Sequence, residues 1–132
     1  MTNDKWQQLE QHLCWVGSRA DLKIDGYNVT LIVVPEKPLK NVIAVYVNGE
    51  FDIDAAQHDT EIRRRFYQKH KGSLLTSSNR KKLKKESKAF QKQVAEKAAY
   101  YYYYPFWSSF KSLKSHFVKK NTSIELVSKL GG

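Results

Sequence analysis

Two dipeptides, Asp25-Gly26 and Asn48-Gly49, constrain this chain more than any other feature, because each lies between runs of β-branched and aromatic residues. Asp, Asn and Gly tolerate the positive φ that two-residue hairpin turns require. Between them, Pro35-Glu36-Lys37-Pro38 must form a third connection, since neither proline has an N–H to give to a ladder. The spacing predicts a four-strand antiparallel meander over 20–25, 27–34, 40–48 and 50–53. Within it Val29, Leu31 and Val33 point to one side and Ile32 and Val34 to the other, while Ile43, Val45 and Val47 alternate with Val42, Ala44 and Tyr46. A sheet this apolar requires helices over one face to avoid aggregation.

The flanking segments supply helical periods. Asn3 or Asp4 caps a short helix carrying Trp6, Leu9, Leu13 and Val16 and ending near Gly17. After Asp59 a second helix is expected over 60–71, with Ile62 and Phe66 inward, Arg63, Arg64, Arg65, Lys69 and Lys71 outward, and Gly72 as its stop. Ser77-Ser78-Asn79 offers caps to a longer helix over 79–100, striped by Leu83, Phe90, Val94 and Ala98, with Tyr101 continuing the stripe into the core. Pro105 interrupts the run. A last helix starts at Ser108 or Ser109 with Phe110, Leu113, Phe117 and Val118 inward, and Thr122 to Leu126 form a strand or a further helical turn. The expected fold class is therefore α+β, with a short N-terminal helix, the meander, and three basic amphipathic helices packed on one face of the sheet.

The 132 residues suit a single domain spanning 1–132, and no apolar run approaches the roughly 20 residues of a membrane span. Met1 to Glu10 lack the pattern of a secretory signal, so a cytoplasmic protein with no membrane partner is expected. The lone Cys14, between Leu13 and Trp15, reads as a buried, inert thiol.

Charge is the most informative quantity after the turns. The formal net charge is +10, but residues 1–59 carry five Lys or Arg against nine Asp or Glu, whereas 60–132 carry eighteen against four. An excess this large creates a field felt by polyanions over a Debye length. Arg80 to Lys97 alone holds eight cations and two anions. At about 100° per residue, Lys81, Lys85, Lys88 and Lys92 share the side opposite the Leu83 stripe. Lys and Arg on one face neutralise phosphates and release counterions, giving salt-sensitive affinity for DNA or RNA. A merely solvated face is the simpler alternative, and the neighbouring Arg63, Arg64 and Arg65, with Lys111, Lys114, Lys119 and Lys120, favour a contact surface.

Tyr100 to Tyr104, Phe106 and Trp107 cannot all enter a core, because consecutive residues point in different directions. Tyr102 and Tyr103 are thus candidates for stacking on bases, while most of the run clamps helices to the sheet. Glu50, Asp52 and Asp54 alternate as carboxylate ligands can, but an acidic edge strand explains them better. His12, His58, His70 and His116 have no metal-ligand spacing, and no phosphate loop or nucleophile motif occurs. Neither enzyme activity nor a cofactor or metal is expected.

The run Tyr104-Pro105-Phe106-Trp107-Ser108-Ser109-Phe110-Lys111-Ser112-Leu113-Lys114-Ser115-His116, followed by Asn121-Thr122-Ser123-Ile124-Glu125-Leu126, resembles the tail of small accessory proteins encoded by tailed phages and prophages. Asp25-Gly26 and Val45-Tyr46-Val47-Asn48-Gly49 are similar to segments of the same proteins. The resemblance implies expression in a bacterial cell and an accessory role in phage nucleic-acid metabolism or against a host defence or enzyme. Two functions remain open. One is a non-catalytic nucleic-acid-binding protein using Arg63, Arg64, Lys81, Lys85, Lys88, Lys92, Tyr102 and Tyr103. The other is a protein-interaction module that inhibits or modulates a host complex, its partner an acidic protein or a nucleoprotein. A homodimer pairing the acidic and basic halves fits either.

Overall fold

The computed structural model describes residues 1–51 and 58–127. The backbone packs as two compact units, one of residues 1–68 and 103–132 and the other of 69–102, so the division does not follow the acidic and basic halves.

The larger unit is built on the two turns. Asp25 (φ 46°), Gly26 (φ 89°), Asn48 (φ 53°) and Gly49 (φ 82°) all adopt the positive φ expected of them. They bound strands β1 (Arg19–Ile24), β2 (Tyr27–Lys37) and β3 (Lys40–Val47), paired antiparallel in sequence order. β2 runs past Pro35, and its register with β3 shifts between Pro35 and Lys37. A proline is tolerated at such an irregularity because the ladder hydrogen bond it cannot make is already lost there.

The fourth meander strand needs correction. Glu50 bridges back to Val47 across the Asn48-Gly49 turn, and of the rest of 50–53 only Phe51 is among the described residues. The free edge of β3 is instead taken by β6 (Phe106–Trp107), and β7 (Ile124–Leu126) pairs with β1, giving the order β6-β3-β2-β1-β7. Of the segment Thr122 to Leu126, the last three residues thus form a strand and not a helical turn.

Helices α1 (Asn3–His12), α2 (Glu61–Phe66) and α5 (Phe110–Lys120) cover one face of this sheet. Trp6, Leu9, Phe66, Leu113 and Phe117 meet the inward rows Ala20-Leu22-Ile24, Val29-Leu31-Val33 and Ile43-Val45-Val47 in one core. Phe66 and Phe117 pack edge to face at 5.6 Å, and buried Trp107 Nε1 donates to the Phe66 carbonyl at 2.9 Å. On the other face of β3, Tyr46 stacks on Phe51 at 4.0 Å and Phe51 meets Phe106 at 5.6 Å. Several side chains depart from expectation: Cys14 and Val16 are exposed, because α1 stops at His12 and only Leu13 beyond it packs inward, and Val118 on α5 is exposed beside buried Phe117.

The second and third expected helices also need correction. α2 ends at Phe66, six residues in all, and Gln68–Ser73 forms strand β4. Beyond Tyr67 the sequence offers Lys69, His70 and Lys71 where a continuing helix would need an inward apolar residue, so nothing holds another turn against the core. The expected helix over 79–100 is two helices, α3 (Ser77–Leu83) and α4 (Lys88–Ala98). Between them Ser87 caps α4, its hydroxyl accepting the Phe90 N–H at 3.3 Å, and Gln91 Nε2 donates to the Glu86 carbonyl at 2.8 Å. Tyr100 to Tyr104 belong to strand β5 (Ala99–Tyr104), which pairs with β4. Consecutive tyrosines favour a strand, and Pro105 disfavours helical φ and ψ at Tyr104. Tyr101 is consequently 53% exposed and not a core residue.

Among the described residues, no helix is long and apolar enough to cross a membrane.

Candidate nucleic-acid interface

The positive charge is concentrated more sharply than the halves of the sequence suggest. Residues 69–102 carry ten Lys or Arg and two Glu, a net +8 of the chain's +10. Among the described residues the ion pairs use Arg19, Lys40, Arg64 and Arg65, and none of these ten cations. Unneutralised cations at this density repel one another, which costs stability unless an anion relieves it.

Two of the nominated residues meet each other. The Arg63 guanidinium lies over the Tyr103 ring, 3.8 Å from its centroid, with Arg63 Nε buried and without a hydrogen-bond partner. Tyr103 packs against the core of the larger unit. Arg64 is held by Asp59 at 3.1 Å, and its carbonyl takes the His116 Nε2 contact at 2.9 Å. The adjacent Arg65 bonds Asp25 and Glu61. The three consecutive arginines are therefore engaged within the fold.

Lys81, Lys85, Lys88, Lys92 and Tyr102 belong to the smaller unit. Lys88 and Lys92 stand one turn apart on α4, but the expected four-lysine ridge is interrupted because Lys85 lies past the end of α3. All four lysines are exposed. Arg80, Lys82, Lys84 and Lys97 on or beside the same helices, and Lys69 and Lys71 on β4, were not nominated and belong to the same charged unit.

Neither α3 nor α4 has a buried residue. The stripe of Leu83, Phe90 and Val94 instead lines an open groove of about 260 Å³ with Leu75, Asn79, Lys82 and Glu86. Phe90 is 47% exposed within it.

The paired strands β4 and β5 set aromatic rings on both faces. Tyr102 stacks on His70 with centroids 5.2 Å apart and planes 11° from parallel, Tyr100 lies 6.0 Å from Tyr102, and Lys69 Nζ sits 4.2 Å from the Tyr101 centroid. Tyr100 and Tyr101 were missed by helical reasoning. The signal that finds them is Pro105 closing a run of aromatic residues, which reads as a strand ending at Tyr104.

Of the candidate carboxylates Glu50, Asp52 and Asp54, the last two lie outside the described residues. No protein family, curated protein or solved structure matches the chain.

Proposed function

We propose that this chain is a nucleic-acid-binding accessory protein whose phosphate contacts are made by the unit of residues 69–102, with the phage or prophage origin that its C-terminal segment implies. The observation that carries the reading is a net charge of +8 on residues 69–102, whose cations make no ion pair among the described residues. Lys81, Lys85, Lys88 and Lys92 meet phosphates, supported by Arg80, Lys82 and Lys84. Arg63 and Arg64 play no direct part, because Tyr103 and Asp59 already engage them. Affinity comes from released counterions, so it falls steeply with salt and tolerates any sequence.

The test is binding of the full chain to labelled single-stranded and duplex DNA and RNA across a salt series. Replacing Lys81, Lys85, Lys88 and Lys92 together by Glu abolishes the binding if the reading is right. No binding by the unaltered chain at low salt would sink it.

A second reading rests on the groove bounded by Leu75, Leu83, Phe90 and Val94. An acidic amphipathic helix of a protein partner fits its apolar floor and cationic surroundings. Phe90→Asp separates the two readings, since it removes a protein contact at the groove while the lysine side of α4 keeps its charge.

A further inference from the structure

We infer that the β4–β5 ribbon is a stacking platform for unpaired bases, which makes the polymer bound by the basic unit single-stranded nucleic acid. The inference rests on the reading above, and deepens it from charge to strandedness.

Side chains on a strand alternate between faces, so Tyr100 and Tyr102 share one side of β5 and Tyr101 takes the other. His70 and Gly72 likewise share one side of β4. The contacts follow this alternation: Tyr102 lies flat on His70, and Tyr100 lies over Gly72. A side chain at position 72 would collide with the Tyr100 ring, so the glycine is what lets that ring settle onto the strand. Three rings thus form a row along one face, with Tyr100 46% exposed at its end. On the other face Tyr101 is 53% exposed and has Lys69 against it.

Rings used only for packing lose their surface to neighbours, and Tyr100 and Tyr101 retain about half, with Tyr102 and His70 half-buried. A sheet that presents aromatic faces beside cations matches what unpaired bases require: a flat surface for each base and positive charge for the phosphate that follows it. Lys69 and Lys71 on β4 and Lys97 at the end of α4 stand within a few residues of the rings. Paired bases in a duplex keep their faces stacked on each other, so a duplex can use the lysines but not the tyrosines.

The test compares short labelled oligo(dT), oligo(U) and a duplex of equal length by fluorescence anisotropy at one low salt concentration, using the full chain. The single strands bind more tightly than the duplex, and the dT and U arms show whether the DNA or the RNA strand is preferred. Tyr100→Ala weakens single-strand binding about tenfold, the effect of losing one stacked base, and leaves duplex binding unchanged. Tyr100→Phe keeps the ring and retains the affinity, which separates lost stacking from a damaged ribbon. Irradiation of the unaltered chain with a 5-iodouracil oligonucleotide yields an adduct at Tyr100, Tyr101 or Tyr102. Equal affinity for duplex and single strand, undiminished single-strand binding by Tyr100→Ala, or adducts confined to α3 and α4 would each overturn the platform while leaving the phosphate contacts standing. If neither polymer binds at low salt, both readings fall together.

Discussion

Arg65 Nη1 donates to Asp25 Oδ2 at 2.6 Å, joining a helix to a hairpin turn forty positions earlier in the chain. Asp25 is the first residue of the Asp25-Gly26 turn, and its carboxylate also accepts the N–H groups of Thr122 and Ser123, both at 2.8 Å. One side chain therefore ties the β1–β2 turn to α2 and to the segment entering β7. These two backbone donors first, and Arg65 after them, hold the Asp25 carboxyl below the usual carboxylate value.

A carboxyl with a depressed folded pKa contributes stability that is complete above the unfolded value near 3.9 and is lost as pH falls through the folded value. Thermal unfolding followed by circular dichroism is expected to show a falling midpoint below about pH 4. Asp25→Asn lowers the midpoint at neutral pH and flattens that acid dependence. An unchanged acid slope in Asp25→Asn would mean that other carboxylates carry it.

His116 gives a second pH signature. Burial first, and then the charges of Lys120 and Lys119, push the imidazole below its ordinary value, against a hydrogen bond to the Arg64 carbonyl that raises it. The folded state thus prefers the neutral ring. Stability is full above the unfolded value near 6.5 and declines as pH falls through the interval down to the folded value, below which the loss is constant. His116→Gln, which can still donate to the Arg64 carbonyl, is expected to abolish the decline between pH 7 and 5. Unfolding midpoints of both proteins across that interval check it.

Leu113 on α5 is fully buried among the sheet and helix residues of the larger unit. Leu113→Ala removes apolar contact and leaves a cavity, costing about 2–5 kcal/mol in denaturant unfolding. Val118→Ala on the same helix, at an exposed position, is expected to change stability by less than about 0.5 kcal/mol.

Ser87 distinguishes two helices from one. In a continuous helix over 79–100, alanine at position 87 would raise helicity, because alanine is the better interior residue. As the cap of α4, Ser87→Ala instead removes the acceptor for the Phe90 N–H and destabilises α4 by about 1 kcal/mol. Far-ultraviolet circular dichroism of the variant reads the sign directly.

The lysines are predicted to act as separable phosphate contacts. Each one that meets a phosphate contributes about 0.7–0.9 to the slope of log K against log salt. Lys88→Gln and Lys92→Gln, one turn apart on α4, should each reduce that slope by this amount and together by twice as much. Arg64→Gln should leave it unchanged, since Asp59 already neutralises that guanidinium.

Three strands of the expected four-strand meander were legible from residues alone. Local chemistry decides a two-residue turn, and Asp25-Gly26 and Asn48-Gly49 adopt the backbone angles their side chains permit. The alternation of Val29, Leu31 and Val33, buried beside half-buried Ile32 and Val34, follows from the period of a strand. The inward residues Trp6, Leu9, Leu113 and Phe117 were likewise readable from helical spacing. So was the basic excess after residue 60, because charge requires no fold to be counted.

Tertiary structure decided the rest, wherever two local solutions competed. Lys69 to Gly72 and Tyr100 to Tyr104 can each extend a helix, and only their pairing with one another satisfies both as strands. The edge of β3 accepts Phe106–Trp107 through contacts some sixty residues distant in sequence, which no local period reveals. Arg63, Arg64 and Arg65 read as three equivalent surface cations, yet Tyr103, Asp59 and Asp25 engage them in turn. Composition and turn chemistry thus determined that this chain forms a meander with a charged helical segment. Long-range pairing determined which cations are engaged within the fold and which tyrosines face solvent, because a side chain's neighbours across the fold are independent of its neighbours along the chain.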